Sequence, residues 1–141
     1  MPFKFLDKVS IADTAFEATG KSLEEFFVAC ALATTRTMIN PKTLEKKIKK
    51  ELVLGGEKID ILLYDFLSEL VFLKDSERLL FKEFKIKIEK NKKYKLRATC
   101  YGDKINPDKQ ELGTDVKAIT MHEFKVEETK AGFKTKITLD L

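Results

Sequence analysis

The chain has 141 residues, 43% of them hydrophobic and 35% charged, with a formal net charge of +4 at neutral pH. That length suits one domain with a real core, and the mixed, highly charged composition is that of a globular protein. No stretch approaches the roughly 18 uninterrupted apolar residues of a membrane span, and the opening MPFKFLDK has no apolar signal core, so a single cytoplasmic domain over residues 1–141 is expected.

Cys30 and Cys100 lie far apart among apolar residues, and neither forms a C-x-x-C pair. With His122 the only histidine, a structural zinc site has too few soft ligands, so any metal has to be held by oxygen. The cations are nearly all lysines, the arginines being only Arg36, Arg78 and Arg97. That is a poor set for base-specific nucleic-acid contacts, which draw on bidentate arginine.

Phe3 and Phe5 flank Lys4 in the alternation of a short opening strand. Residues 13–19 predict a second, with Thr14, Phe16 and Ala18 on one face and Asp13, Ala15 and Glu17 on the other. After Gly20, Ser22 and Glu25 have the spacing of a capping box. The helix they open carries Leu23, Phe26, Phe27, Cys30, Ala31 and Thr34 as one apolar stripe and stops at Asn40-Pro41. Residues 44–54, rich in lysine, read as a strand leading to a turn at Gly55-Gly56, and a second helix follows with Ile59, Leu62, Leu63, Phe66, Leu67 and Leu70 buried.

From Glu77 the apolar period becomes two. Phe84, Ile86 and Ile88, then Tyr94, Leu96, Ala98 and Cys100, predict a hairpin with one wet face, its turn at residues 90–93. Residues 102–113 form a polar loop that delivers the chain into LGTDVKAITMHEF, residues 112–124. By parity Val116, Ala118, Thr120, His122, Phe124 and Val126 share the core face of one strand. Lys117, Ile119, Met121, Glu123 and Lys125 share the other, which Ile119 and Met121 indicate is partly covered too. Lys117 then lies at the edge of a covered region and needs an acidic partner. His122 falls beside Phe124, where a hydrogen-bonded core histidine is expected.

A turn at residues 128–132 leads to the last strand, with Phe133, Thr135, Ile137, Leu139 and Leu141 inward and Asp140 outward. The expected fold is α+β, a two-layer domain with a largely antiparallel sheet and two helices packed on one side.

Asp13, Lys117 and Asp140 each fall opposite the main apolar stripe of their strand and can meet on one face. Two carboxylates drawn together persist only with a cation beside them, which Lys117 or a metal ion can supply. If a metal binds, Asp13, Asp140 and the terminal carboxylate or carbonyl of Leu141 offer hard oxygen ligands suited to Ca²⁺, Mg²⁺ or Mn²⁺. No other chemistry is signalled. Gly55-Gly56 lacks the lysine and hydroxyl of a phosphate loop, and no serine or cysteine is set with a histidine in a nucleophile motif. The lysines of 46–50 and 90–95, with Tyr94, can meet a phosphate backbone, although alternating lysines on a strand usually form only its solvated face.

The words LGT and VKAITMH, with the closing pair Asp140-Leu141, resemble the archease family. The resemblance extends through Ala12-Asp13, Ala18, Gly20, SLEEFF at residues 22–27 and YDFLSELVFL at residues 64–73, and so covers essentially the whole chain. Two positions depart from the family's pattern: Ser10 stands where a histidine is usual, in a longer FLDKVSI segment, and Met121 replaces an aromatic.

This resemblance implies a protein cofactor rather than an enzyme. Its expected partner is an RtcB-type RNA ligase of tRNA splicing, whose guanylylation and multiple turnover it promotes; a tRNA methyltransferase served in a chaperone-like way is the alternative partner. The resemblance also implies a divalent metal, calcium first and magnesium or manganese as alternatives, at Asp13 and Asp140 with Leu141, and matches the family's functional lysine to Lys117. It carries over no role for His122. From the residues alone, a metal-dependent phosphoesterase and a plain RNA-binding module stand as alternatives.

Overall fold

The computed structural model describes residues 2–6 and 13–141. Ser10, Ala12 and most of the FLDKVSI segment lie outside them. The chain runs β1 (Phe3–Phe5), β2 (Asp13–Gly20), α1 (Leu23–Met38), a 3-10 turn (Pro41–Thr43), β3 (Ile48–Gly56), α2 (Ile59–Glu77), β4 (Leu79–Lys90), β5 (Tyr94–Lys104), β6 (Ala118–Ile119), β7 (Lys125–Thr129) and β8 (Gly132–Asp140). This is the expected α+β fold, with two helices and antiparallel strands. The strands divide into two sheets, β1-β2-β8 with β6 and β7 both on the far edge of β8, and β3-β5-β4.

Helix α1 begins where its sequence signals place it. The Ser22 hydroxyl accepts the Glu25 N–H at 3.1 Å, while the Glu25 carboxylate reaches back one residue further than a standard capping box, to the Lys21 N–H at 3.2 Å. The helix packs on β1, β2 and β8 from one side and on β4 from the other. It is therefore buried over more than the one stripe its apolar spacing indicates, taking in Ala29, Ala33, Thr35 and Met38 as well. Phe27 stacks on Phe66 of α2 at 6.0 Å and Phe26 meets Phe133 of β8 at 6.1 Å, so three elements share one aromatic core. Each fully buried phenylalanine contributes about 1.5–3 kcal/mol in transfer free energy.

Two strand limits differ from expectation. Residues 41–43 coil into the 3-10 turn started by Pro41 and capped by Asn40, so β3 begins at Ile48, and Gly55 and Gly56 close the strand rather than form a separate turn. In the β4–β5 hairpin the register shifts between Phe81 and Glu83 opposite Gly102. A Cβ at Gly102 would collide with the Leu80 carbonyl, so the close backbone approach at this bulge admits only glycine.

The largest difference concerns the strand expected over residues 116–126. It exists as two short pieces along the same edge of β8, Ala118 and Ile119 opposite Asp140 and Leu139, then Lys125 to Thr129 opposite residues 136 to 132. Ile119 and Lys125 are six positions apart while their partners Leu139 and Lys136 are three apart, so three residues have no place in the ladder. They are extruded as a turn closed by the Phe124 N–H on the Met121 carbonyl at 3.2 Å, with Glu123 at a left-handed φ of 52°. Parity cannot be carried across such an insertion, because each odd residue added exchanges the two faces.

Candidate functional site

β2 and β8 pair without interruption from Gly20 opposite Phe133 to Asp13 opposite Asp140. Directly opposed residues present their side chains to the same face. Phe16 and Ile137 thus meet in the core, while Asp13 and Asp140 meet on the other face at the end of the ladder, both half-buried. Further along that face Glu17 stands opposite Lys136, and Lys4 of β1 lies 3.9 Å from Glu17. From Lys4 through Glu17 to Lys136 the signs alternate; the last rung sets two acids together. Leu141 follows, half-buried, beside a cleft of about 240 Å³ lined also by Phe5, Thr14, Arg36, Thr37 and Thr114.

Lys117 reaches this site through its backbone. Its N–H donates to the Asp140 carbonyl at 2.8 Å, and the next residue, Ala118, stands opposite Asp140 in the ladder. Two residues against one is the arrangement of a β-bulge. It explains the burial pattern, in which Lys117 and Ala118 are both exposed between the buried Val116 and Ile119. Lys117 is therefore not at the edge of a covered region, and among the described residues its side chain makes no ion pair. The fold brings Asp13, Asp140 and Lys117 together at one end of the sheet, Asp13 and Asp140 as cross-strand partners and Lys117 as the residue bonded to Asp140.

The buried ammonium of this region belongs to another lysine, Lys74 of α2, whose side chain is only 5% exposed. It pairs with the Asp115 carboxylate, with Asp75 at 2.9 Å, and with the Val116 carbonyl at 2.7 Å. Sequence reasoning passed over it. Its signal is the spacing: Leu63, Leu67 and Leu70 recur on the buried stripe of α2, and Lys74 is the next position on it.

α2 fastens the irregular segment at two further points. The Asp60 carboxylate accepts the Val126 N–H at 3.1 Å, and Tyr64 meets Phe124 edge to face at 5.7 Å. The entry to the segment is docked on α1, whose last carbonyls lack helical donors. The Thr37 and Met38 carbonyls accept the N–H groups of Thr114 and Gly113 at 2.9 and 2.7 Å. A Cβ at Gly113 would run into the Thr37 carbonyl oxygen, which accounts for the glycine of the LGT word.

His122 lies in the extruded turn, 78% exposed and 4.0 Å from the Glu123 carboxylate, rather than on a core face. Cys30 and Cys100 are buried free thiols, as their surroundings indicate. Burial raises both, Cys30 the more, and pushes Cys100 up to about 12. Among the described residues no three His, Cys, Asp or Glu side chains gather as a metal-holding group. Among the described residues no helix is long and apolar enough to cross a membrane.

Comparison with known proteins agrees with the sequence resemblance. The Archease protein family (MTH1598/TM1083) matches residues 3–141. Protein archease of Pyrococcus abyssi is 44% identical over 122 residues, 86% of either chain. That of Sulfolobus acidocaldarius is 35% identical over 139 residues, 99% of this chain and 98% of the relative. The solution structure of Methanobacterium thermoautotrophicum protein 1598 superposes with a TM-score of 0.86 at 35% identity, covering 99% of each chain. A Thermotoga maritima crystal structure described as an archease, possible chaperone, shares the fold with a TM-score of 0.66 at 23% identity over 94% of this chain and 93% of its own. With a match along nearly its whole length and curated relatives at this identity, the chain belongs to the archease protein family.

Proposed function

We propose that this protein is an accessory factor of RNA processing that activates an RtcB-type RNA ligase, promoting its guanylylation and repeated turnover, with the end of the β2–β8 ladder as its working tip. The observation that carries the reading is the cross-strand pair Asp13–Asp140 with the Lys117 backbone bonded to Asp140.

The residues present fit a hard divalent ion. Two carboxylates face one another on the last rung, where like charges oppose the pairing, and main-chain oxygen from Leu141 follows directly. All of these donors are oxygens, the set that Ca²⁺, Mg²⁺ and Mn²⁺ prefer. Asp13, Asp140 and Leu141 would hold the ion. When bound it would supply positive charge between the acids and a Lewis-acidic face toward phosphate oxygens.

The protein's own residues do the rest. The uninterrupted β2–β8 ladder fixes the spacing of the two carboxylates, and the bond to Asp140 keeps Lys117 beside them with its ammonium in solvent, free to meet a phosphate or an acidic group of the partner. The tip then works by presenting charge to another protein's nucleotide site. No bond need be made or broken on the accessory protein itself.

The test is multiple-turnover RNA joining by the ligase of the same organism, with GTP and Mn²⁺, with and without a substoichiometric amount of this protein. Turnover should rise with the wild type and fall back with Asp13→Ala or Lys117→Ala. Equal stimulation by folded Asp13→Ala protein would sink the tip mechanism. A second reading, a chaperone-like modulator of a tRNA methyltransferase, draws on the possible-chaperone description of the Thermotoga relative. It predicts protection of a methyltransferase from aggregation with no effect on joining. Release of product from phosphodiesters by the pure protein with Mn²⁺ would instead favour a phosphoesterase.

A further inference from the structure

The peptide unit that joins Val116 to Lys117 is gripped from both sides. Its carbonyl accepts the Lys74 ammonium at 2.7 Å, and its N–H donates to the Asp140 carbonyl at 2.8 Å. Lys117 itself is exposed, so its place beside Asp140 is set not by packing of its own side chain but by these two bonds together with the buried Val116 before it and the pairing of Ala118 after it.

Apart from the buried side chains of Val116 and Ile119, few contacts hold this stretch. β6 is only Ala118 and Ile119, and the docking on α1 ends at Thr114. Between them, Lys74 meets the chain at Asp115 and at the Val116 carbonyl. An ammonium has three donors, and the structure offers Lys74 three acceptors: the Asp75 carboxylate, the Asp115 carboxylate and the Val116 carbonyl. Its methylene stem continues the buried stripe of α2 while its head leaves the helix to hold the neighbouring segment.

We propose that Lys74 is a positioning residue for Lys117: from the buried face of α2 it presses the 116–117 peptide onto the end of β8 and so keeps Lys117 beside the Asp13–Asp140 pair. The proposal rests on the reading of Lys117 as a working residue of the tip. It adds that the tip is set by α2 as well as by the sheet, through one charge-assisted bond to a backbone carbonyl.

Lys74→Met keeps the stem and removes the ammonium. Asp115→Asn leaves the ammonium and removes one of its charged partners, and it carries the same comparison if Lys74→Met does not fold. Two readouts separate positioning from general support. In either variant, amide hydrogen exchange at Lys117 should accelerate about tenfold or more while the β2–β8 ladder keeps its protection. Ligase activation should fall about 10- to 100-fold, the size expected when a working group is misplaced by an ångström or so. Unchanged exchange at Lys117, or exchange that rises equally across the β2–β8 ladder, overturns the proposal. Faster local exchange with wild-type activation overturns it too, while Lys117→Ala remaining inactive leaves the reading of the tip intact. Full activation by Lys117→Ala overturns that reading, and the positioning role with it.

Discussion

Asp13 and Asp140 face each other across the last rung of the β2–β8 ladder, two acids where the preceding outward charged rung pairs Glu17 with Lys136. Directly opposed like charges disfavour a strand pair by about 0.2–1 kcal/mol. In a chelator, Asp140→Asn is expected to leave stability unchanged or raise it by up to about 1 kcal/mol. With Ca²⁺ at a hundred times its dissociation constant the wild type should gain about 2.7 kcal/mol, and the variant should gain nothing. Thermal unfolding with and without the ion measures both. Equal responses from the two proteins would remove the metal from this rung.

Gly113 is pressed against the end of α1, and a methyl group there would meet the Thr37 carbonyl. Gly113→Ala should cost about 1–3 kcal/mol, the usual range for forcing atoms into an occupied space. Because the Gly113 and Thr114 N–H groups satisfy α1 carbonyls, the damage should appear at both partners. Denaturant midpoints give the magnitude. Faster amide exchange at Thr114 should mark the place.

The exposed His122 separates the turn seen in the structure from the core position that parity assigned to it. His122→Ala should change unfolding free energy by no more than about 0.5 kcal/mol, as surface substitutions do. A loss of several kcal/mol on chemical denaturation would mean that the imidazole is buried after all.

The two thiols make alkaline stability a test of the core. Both are raised from the ordinary value of 9.0, so below that pH the thiol is protonated in folded and unfolded chains alike and its stabilising effect is fully present. Above it the unfolded chain ionises first, and stability should fall as pH rises toward the folded value of about 12 for Cys100. The loss approaches about 1.4 kcal/mol per pH unit for each thiol. Urea midpoints at pH 8 and pH 10.5 for wild type and Cys100→Ala should diverge in this direction. Neither thiol should react with an alkylating reagent at pH 8 until the chain unfolds.

Much of the architecture was legible because its signals are local. Ser22 and Glu25 start α1 whatever surrounds them, Pro41 ends helical progress after Asn40, and the leucines of α2 recur at helical spacing. The alternation of β4, β5 and β8 needs only a period of two. The outward positions of Asp13 and Asp140 follow from that alternation within uninterrupted strands, and their meeting is consistent with it.

Other features depend on how chain segments distant in sequence fit together. Whether β6 and β7 form one strand or two depends on how much chain must fit along an edge of β8 of given length. The extruded turn carries His122 into solvent, while Phe124 and Val126 after it still pack against the core. Which lysine is buried depends on what lies over the end of α2, so the covered, acid-paired ammonium expected at Lys117 is found instead at Lys74. Local periodicity determines which face a residue takes within an element. Only the tertiary structure decides where an element is interrupted and which partner its polar groups find, because register and burial depend on residues tens of positions away.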